Sequence, residues 1–327
     1  MLINKHLLTI AIITLLTTAC GGGGGGGSDS IGETNTSQSP SGNSNTLSQT
    51  NTNTAEPDDT TGTASSVTSV NSMAVKGPLA NAVASLFSIN TSNENFQGEL
   101  VAEGFTDTDA QLVMDIENQY LSESFFIMEY TLGKELNGST PVIPTLRTLV
   151  SSEQLLNGTP VFATPLTTLA VDNAIESLSN EASSNIISVI DFASAVNDSA
   201  LRAKAAFGLG ILGDEVNIFT SSPVLSQTTD QNDSLAYRTS IEVFAALAEI
   251  IQKESAALGT TIEAEAVVKI FAEDMLDGSL DGEKNGEPIS QLSALGATKV
   301  QQILSTDPNT LIIPGTDIAI SELLTVI

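Results

Sequence analysis

The chain has few of the residue types that carry most metal and nucleophilic chemistry. Its 327 residues include one cysteine (Cys20), one histidine (His6) and no tryptophan. Zinc and copper sites are built largely from His and Cys, and Ser-His-Asp or Cys-His catalysis needs a histidine near its nucleophile. Because His6 lies in the leader segment described below, these sites are excluded from the rest of the chain.

Basic residues are also scarce, with 11 Lys and Arg against 39 Asp and Glu and a formal net charge of −28. A nucleic-acid surface needs clustered Lys and Arg, so nucleic acid is not an expected partner. Acidic surfaces suit hard cations such as calcium. Glycoside hydrolysis by two carboxylates has no sequence spacing to test, but sugar sites commonly use aromatic platforms, and the chain has three Tyr and no Trp. We therefore expect a noncatalytic protein.

Residues 1–19 have the layout of a signal peptide, with a positive start, an apolar run and small residues before Cys20. The run is too short for a spanning helix, which needs about 20 apolar residues. The segment Leu16-Thr17-Thr18-Ala19-Cys20 resembles the lipobox of bacterial lipoproteins, although Thr17 stands where the family usually has Leu. The resemblance implies acylation of Cys20, a membrane partner through this lipid anchor and, because Gly21 follows, location at the outer membrane. It leaves open whether the protein faces the periplasm or the medium.

Residues 20–72 follow the signal with Gly, Ser, Thr, Asn and Gln, five acids, no base and no aromatic residue. Such a segment cannot bury enough apolar surface to offset the entropy of ordering. It predicts a disordered tether with an end-to-end distance of roughly 40 Å.

Strand signals dominate residues 73–162, where short apolar or alternating segments are separated by turn residues. They predict a small antiparallel β-sandwich with strands near 83–87, 100–105, 112–116 and 125–130. Two Asn-Gly pairs at 137–138 and 157–158 are hairpin signals, and they are either a repeated recognition element or two similar turns.

Two motifs in this region carry a resemblance. The stretch Val75-Lys76-Gly77-Pro78-Leu79-Ala80-Asn81-Ala82-Val83 and the later turn Thr106-Asp107-Thr108-Asp109-Ala110 are similar to carboxypeptidase-regulatory-like (transthyretin-like or prealbumin-like) domains. Ala110 stands where that family usually has Gly. The resemblance implies a noncatalytic sandwich that serves structure or binding.

Residues 163–327 change to a helical period. Thr164 can cap a helix with Pro165 in its first turn, and Thr260 to Glu263 fits a capping box. Further helices are expected near 186–209, 233–258 and 290–304. The overall prediction is an α+β chain in which a β-sandwich precedes an all-α domain. Uncharacterised lipoproteins of Gram-negative bacteria have a similar order, which implies architecture and no activity.

Two pairs on these helices are open to functional interpretation. Asp172 and Glu176 lie four residues apart and could be a metal-ligand pair or a solvated helix face, the latter being favoured. Tyr237 and Arg238 could reach a ligand or help to dock the long helix on its neighbours, and docking is favoured.

The densest acidic segment, residues 273–287, resembles an EF-hand calcium loop in part. The candidate ligands are Asp277, Ser279, Asp281, Glu283 and Glu287. Lys284 takes a slot that is normally apolar, and Pro288 stands where a bidentate Glu belongs. The alternative is a Gly-rich acidic connection whose Asp side chains make turns. Weak calcium binding at this loop is therefore a hypothesis, the turn-forming connection being favoured, and no other cofactor is expected.

Together these patterns predict a noncatalytic, membrane-anchored envelope lipoprotein acting in adhesion, surface assembly or the binding of a protein or carbohydrate ligand. An alternative is a periplasmic ligand-binding or chaperone-like lipoprotein that uses a groove between its domains. A more distant alternative is an acid-based hydrolase, which would need two close carboxylates in a concave site, one with a raised pKa.

Overall fold

Among the described residues regular structure begins at Val67, so strands already occupy the last residues of the segment 20–72 for which the sequence predicts a tether. The computed structural model describes residues 66–76, 78–181, 186–224 and 231–326. The predicted signal peptide, the lipobox with Cys20 and residues 21–65 lie outside the described residues.

The amino-terminal half of the described part is mainly β-structure. Its strands alternate buried and half-exposed side chains, as Ala84 and Leu86 do with Val83 and Ser85. The strands, with the short helix α1 (Ser152–Leu156) before the last of them, are β1 (Val67–Ser69), β2 (Ser72–Ala74), β3 (Leu79–Ala80), β4 (Val83–Ile89), β5 (Gln97–Thr106), β6 (Leu112–Val113), β7 (Asp115–Glu117), β8 (Phe125–Thr131), β9 (Lys134–Glu135), β10 (Leu146–Ser151) and β11 (Val161–Ala163).

Five of these strands form one antiparallel sheet in the order β10-β8-β4-β5-β6. Leu86, Met128 and Thr148 lie side by side across three of its strands and are fully buried. Three small pairs surround the sheet: β1 with β7 and β3 with β9 are antiparallel, whereas β2 with β11 is parallel. The described chain is thus mixed α+β, with an antiparallel sheet first.

The carboxyl-terminal half is mainly helical but not all-α, which corrects the prediction, because it also contains a small hairpin. Its elements are α2 (Pro165–Glu181), α3 (Val189–Phe207), α4 (Gln231–Ala257), α5 (Ala264–Asp274), the hairpin strands β12 (Glu283–Lys284) and β13 (Glu287–Pro288), α6 (Ala297–Leu304) and α7 (Ile320–Val326). In the described part of the chain, none of the helices is both long and apolar enough to span a bilayer.

Helix α2 starts where the sequence predicts and is fixed to the sheet by hydroxyl groups. The Thr167 amide donates to Thr164 Oγ1 at 3.2 Å, and the Thr164 amide donates to Thr167 Oγ1 at 2.7 Å. The Arg147 amide donates to Thr168 Oγ1 at 2.9 Å, and Thr167 Oγ1 donates to the Arg147 carbonyl at 2.7 Å. These bonds satisfy the outer edge of β10 and hold α2 beside it.

Other local sequence signals predicted the structure less well. The predicted capping box is wrong, because α5 begins at Ala264 and Glu263 makes no side-chain cap. The predicted helix over 290–304 is interrupted before Gly296, whose φ is +75°. The first Asn-Gly pair turns the chain after β9, but the second ends α1, with Gly158 at a φ of +62°. The two Asn-Gly pairs are therefore different structures, which leaves no repeated element.

Sheet and helices share one hydrophobic core. A single cluster of buried apolar residues includes members from both predicted domains, among them Leu86, Phe126 and Tyr130 of the sheet. On the helical side, the rings of Phe207, Phe244 and Phe271 pack edge to face, with centroids 4.8 to 5.5 Å apart. The residues Ser65–Ile327 accordingly form one compact unit.

A largely internal group of four charges, here called the sealed cluster, joins the small strands to α4, and two of its four side chains keep 14% and 20% exposure. It consists of Lys76, Glu135, Arg238 and Glu242. Lys76 Nζ lies 3.2 Å from Glu135 Oε1 and 3.2 Å from Glu242 Oε2, and Arg238 Nη2 lies 2.8 Å from Glu242 Oε1. Lys76 is 1% exposed and Glu242 is 0% exposed. Each cation therefore has an acid beside it, as buried charges require.

Candidate binding cleft

A cleft of about 490 Å³ opens between the sheet, α2 and α5. The β4–β5 loop forms one rim, β10 and α2 form the floor, and α5 forms the opposite rim. Charged and polar side chains predominate in its lining, which is Glu94, Asn95, Arg147, Asp172, Ile175, Glu176, Ser179 and Lys269.

Arg147 on β10 is the central group of the floor. Its Nε donates to Glu129 Oε2 at 2.7 Å across the strand pair, and its Nη1 donates to Asp172 Oδ1 of α2 at 3.0 Å. Burial alone would lower the pKa of Arg147, but the charges of Asp172 and Glu129 raise it above its ordinary value. The guanidinium is thus a fixed cation at physiological pH, held in place by two acids.

Asp172 is buried near the middle of α2. Burial raises the pKa of the Asp172 carboxyl, while the charge and hydrogen bond of Arg147 and the charge of Lys269 lower it. The favoured prediction of a solvated helix face is therefore wrong for Asp172, which is an internal ion-pair partner. Glu176, one turn later, lies 3.8 Å from Lys284 Nζ through its Oε2.

The first rim is held in place by the β4–β5 loop. Phe96 is buried at a φ of +56°, and its ring packs edge to face on Phe192 of α3, with centroids 5.2 Å apart. Such a backbone conformation costs a bulky residue about 1–3 kcal/mol and persists only where packing enforces it. The neighbouring Asn95 donates to Gln97, and Gln97 donates to Glu129 at 3.1 Å. Rim and floor are therefore connected by side-chain hydrogen bonds.

The opposite rim carries Lys269, on the exposed side of α5. Its neighbours Val268 and Ile270 are buried, which directs Lys269 away from the core. Among the Lys and Arg side chains of the described residues, Lys269 is the one with no hydrogen bond and no acid within 4.0 Å. Every other one has such a partner.

The cleft therefore presents unused cationic donors beside acids. A guanidinium has five N–H groups, and two of those of Arg147 are bound to described protein atoms. Chemically, the arrangement suits recognition of a polar ligand by charge-assisted hydrogen bonds. Sequence reasoning missed this site because its members lie on four elements, far apart along the chain.

The predicted calcium loop folds into hydrogen-bonded turns. Asp277 accepts the amides of Ser279 at 2.9 Å and Asn285 at 3.2 Å. Asp281 accepts the amide of Glu283 at 3.1 Å. Glu283 and Glu287 lie on the paired strands β12 and β13, where Glu283 is opposite Pro288 and Glu287 is opposite Lys284.

Asp274, which the sequence did not single out, is the centre of this loop. Its carboxylate accepts the amides of Asp281 at 3.0 Å and of Gly282 at 2.9 Å, and its side chain is fully buried. Burial raises the pKa of Asp274 to about 6, against the lowering effect of those two amides. The charges of Asp281 and Asp277 raise it further. A short polar residue that ends a helix just before a Gly-rich loop is the signal that could have identified it.

Lys284, which departs from the EF-hand pattern, points back to the helices. Its Nζ lies 3.8 Å from Glu176 and 4.0 Å from Glu273. Within the described ranges, the acids do not converge into a group of three with metal-binding geometry.

Calcium binding at this loop stays a prediction. It is checked by comparing melting temperatures in excess calcium and in chelator, because a ligand of the native state must raise stability. Equal melting temperatures would remove the prediction.

Tyr237 docks α4 on its neighbours, as predicted, whereas Arg238 pairs with Glu242 of the same helix. Tyr237 Oη donates to the Ile218 carbonyl at 2.6 Å and lies 3.0 Å from Thr164 Oγ1. Arg238 belongs to the sealed cluster.

Comparison with known proteins gives no relative: no family model, curated protein or solved structure matches this chain.

Proposed function

We propose that this chain is a noncatalytic envelope lipoprotein, anchored to the outer membrane through Cys20, whose folded body binds a ligand. The observation that carries the binding role is the cleft, whose floor is preformed by the ion pairs of Arg147 with Glu129 and Asp172. A preorganised charged floor lowers the ordering cost of binding.

The anchoring part of the proposal rests on Cys20 and on the distance to the first strand. Residues 21–66 separate the cysteine from β1. As a flexible chain they would hold the body roughly 40 Å from the membrane. We further propose that the β-rich region is a carboxypeptidase-regulatory-like sandwich. Its antiparallel sheet supports this, as does the Asp107 turn, in which the carboxylate accepts the amides of Asp109 and Gln111.

The noncatalytic assignment is supported by the residue types at the cleft. Asp172 has the raised pKa that an acid-based hydrolase would use, but its carboxylate is bound to Arg147. Tyr130 and Tyr237 are fully buried, and aromatic residues are missing from the lining of the cleft in the described part of the chain. A sugar platform is therefore not available at this site.

Protease shaving of intact cells tests where the body acts. We expect loss of the region after Val67 from unlysed cells if the protein serves adhesion or surface assembly. Protection until the outer membrane is opened would instead favour the alternative, a periplasmic binding or chaperone-like role.

Replacement of Cys20 tests the anchor itself. Cys20→Ala should move the protein from the membrane fraction to the soluble fraction, because stable anchoring needs the acyl chains. Thr18→Ala, which keeps the cysteine and a small residue, is the matched control and should stay with the membrane. A Cys20→Ala protein that remains membrane-bound would overturn the lipoprotein assignment.

A further inference from the structure

The charges of the unused donors and acceptors in the cleft indicate which charged groups its ligand has. Among the described residues, Lys269 has no hydrogen bond and no acid within 4.0 Å, although its charge acts on Asp172, and three N–H groups of Arg147 donate to no described atom. Free cations are unusual on a chain with 39 acids and 11 bases. Such a lysine beside the open N–H groups of the ion-paired Arg147 indicates an anionic group on the ligand.

The acids of the cleft limit what that anion can be. Glu94, Asp172 and Glu176 line it together with Arg147 and Lys269, so three carboxylates face two cations. A multiply charged anion such as phosphate would meet this excess of negative charge. A ligand with one carboxylate and one ammonium group would not.

Glu94 is the acid of the cleft that is available to bind the ammonium group of such a ligand. Glu94 is exposed on the β4–β5 loop, has no hydrogen bond or ion pair to any described residue, and lines the same cleft as Arg147 and Lys269. The lining offers one large aliphatic side chain, Ile175, so the ligand is recognised mainly by its polar groups.

We propose that the cleft binds a small zwitterion, an amino acid or a short peptide, with its carboxylate on Arg147 and Lys269 and its ammonium group on Glu94. The inference rests on the proposed binding role but not on the anchor. If it fails, the shaving and Cys20 experiments still decide the membrane face and the anchor independently.

Calorimetric titration of the purified full-length protein in a non-ionic detergent tests the proposal, with L-alanyl-L-alanine as the probe. We expect saturable binding to one site. N-acetyl-L-alanyl-L-alanine, which lacks the ammonium group, and L-alanyl-L-alanine amide, which lacks the carboxylate, should each bind about tenfold or more weakly, since each loses a charge-assisted bond.

Four substitutions locate the site. Lys269→Gln and Glu94→Gln change exposed rim residues and should each weaken dialanine binding by about tenfold or more. Lys253→Gln and Glu99→Gln are matched controls, because both side chains are exposed and lie outside the cleft lining. They should leave the affinity within about twofold of wild type.

Three results would overturn the proposal. They are no saturable binding at millimolar dialanine, equal affinity in wild type and Lys269→Gln, and inorganic phosphate or the acetylated probe binding as tightly as dialanine. Melting curves of all four variants establish that each is folded before its affinity is compared.

Discussion

The sealed cluster and the floor of the cleft both combine cations with acids, but their charges and surroundings differ. The sealed cluster joins strands to α4 with two cations, Lys76 and Arg238, and two acids, Glu135 and Glu242. The floor joins β8 and β10 to α2 with one cation, Arg147, and two acids, Glu129 and Asp172. The two arginines are similarly exposed, Arg238 at 20% and Arg147 at 24%, but Lys76 of the sealed cluster is 1% exposed whereas Lys269 stands at an open rim. The internal pairing of Lys76 and Glu242 suits the first to stabilising the fold, and the unused donors of the second support the proposed binding role.

The largest effect should come from opening the sealed cluster. Lys76→Met leaves the carboxylates of Glu135 and Glu242 without their shared cation. The free energy of unfolding should fall by about 3–5 kcal/mol, the usual cost of removing one partner of a buried pair. Urea denaturation measures it. Lys253→Met, which removes an exposed surface pair, is the control and should change stability by less than about 1 kcal/mol. Equal losses in the two variants would show that the cluster is not sealed.

Removing the cation from the cleft floor should cost less. Arg147→Met should lower the free energy of unfolding by about 2 kcal/mol, because Asp172 stays buried but water can enter the cleft. Without the guanidinium, the pKa of Asp172 rises further, and the carboxyl takes up a proton at higher pH. The deficit should therefore shrink as pH falls, and urea denaturation at several pH values checks this. A deficit independent of pH would contradict the role of Asp172 as partner.

Asp274 is a third case, a buried acid with backbone partners instead of a cation. Its pKa of about 6 lies above the ordinary value of 3.8, so the folded state binds the proton more tightly. The contribution of this group to stability is therefore greatest at low pH and falls as pH rises from about 4 to 6. Its size should be on the order of 3 kcal/mol.

Asp274→Asn should remove this dependence. Relative to wild type, the variant should gain stability between pH 4 and pH 7, as measured by urea denaturation. Asp109→Asn, on an exposed turn, is the control and should keep the wild-type profile. If both variants followed one profile, the folded pKa of Asp274 would be ordinary.

The smallest predicted changes in stability concern two residues in the left-handed backbone conformation, one buried and one exposed. Ala110 and Leu132 both have a φ of +61°, but Ala110 is 0% exposed and Leu132 is 77% exposed. Leu132→Gly should gain up to about 1 kcal/mol from relief of the left-handed conformation. Ala110→Gly should stay within about 0.5 kcal/mol of wild type, because it also loses a buried methyl group. Equal gains in urea denaturation would contradict this account.

Elements with a clear period were predictable from the sequence. The strands β4 and β8 and the helices α2 and α4 lie close to their expected ranges, because alternation or a helical stripe marks each. Strand β10 was not predicted, because most of its residues are buried and they do not show the alternation that marks the predicted strands. The single hydrophobic core that extends across both halves could not be predicted either, because local sequence patterns do not show which faces of the strands and helices pack together.

The candidate site was less predictable than the fold. Asp172 and Glu176, with a spacing typical of an exposed helix face, gave no sign that Arg147 lies beneath α2. Lys76 sits in a turn-like segment, where a lysine is ordinarily solvated. The acidic loop was recognised by its composition, but Asp274 at its centre was not, because its role depends on burial.

The amino-terminal entry of the chain has a mechanical consequence under the proposed anchoring. Tension on the anchor would reach the body first at β1, which is joined to β7 by three residue pairs, and then at β2, which lies parallel to β11. Two residues after β2 comes Lys76, bound to Glu242 of α4. Under tension the short β1–β7 pair would thus separate first. The ion pair between Lys76 and Glu242 would then transmit the force to α4, away from the cleft.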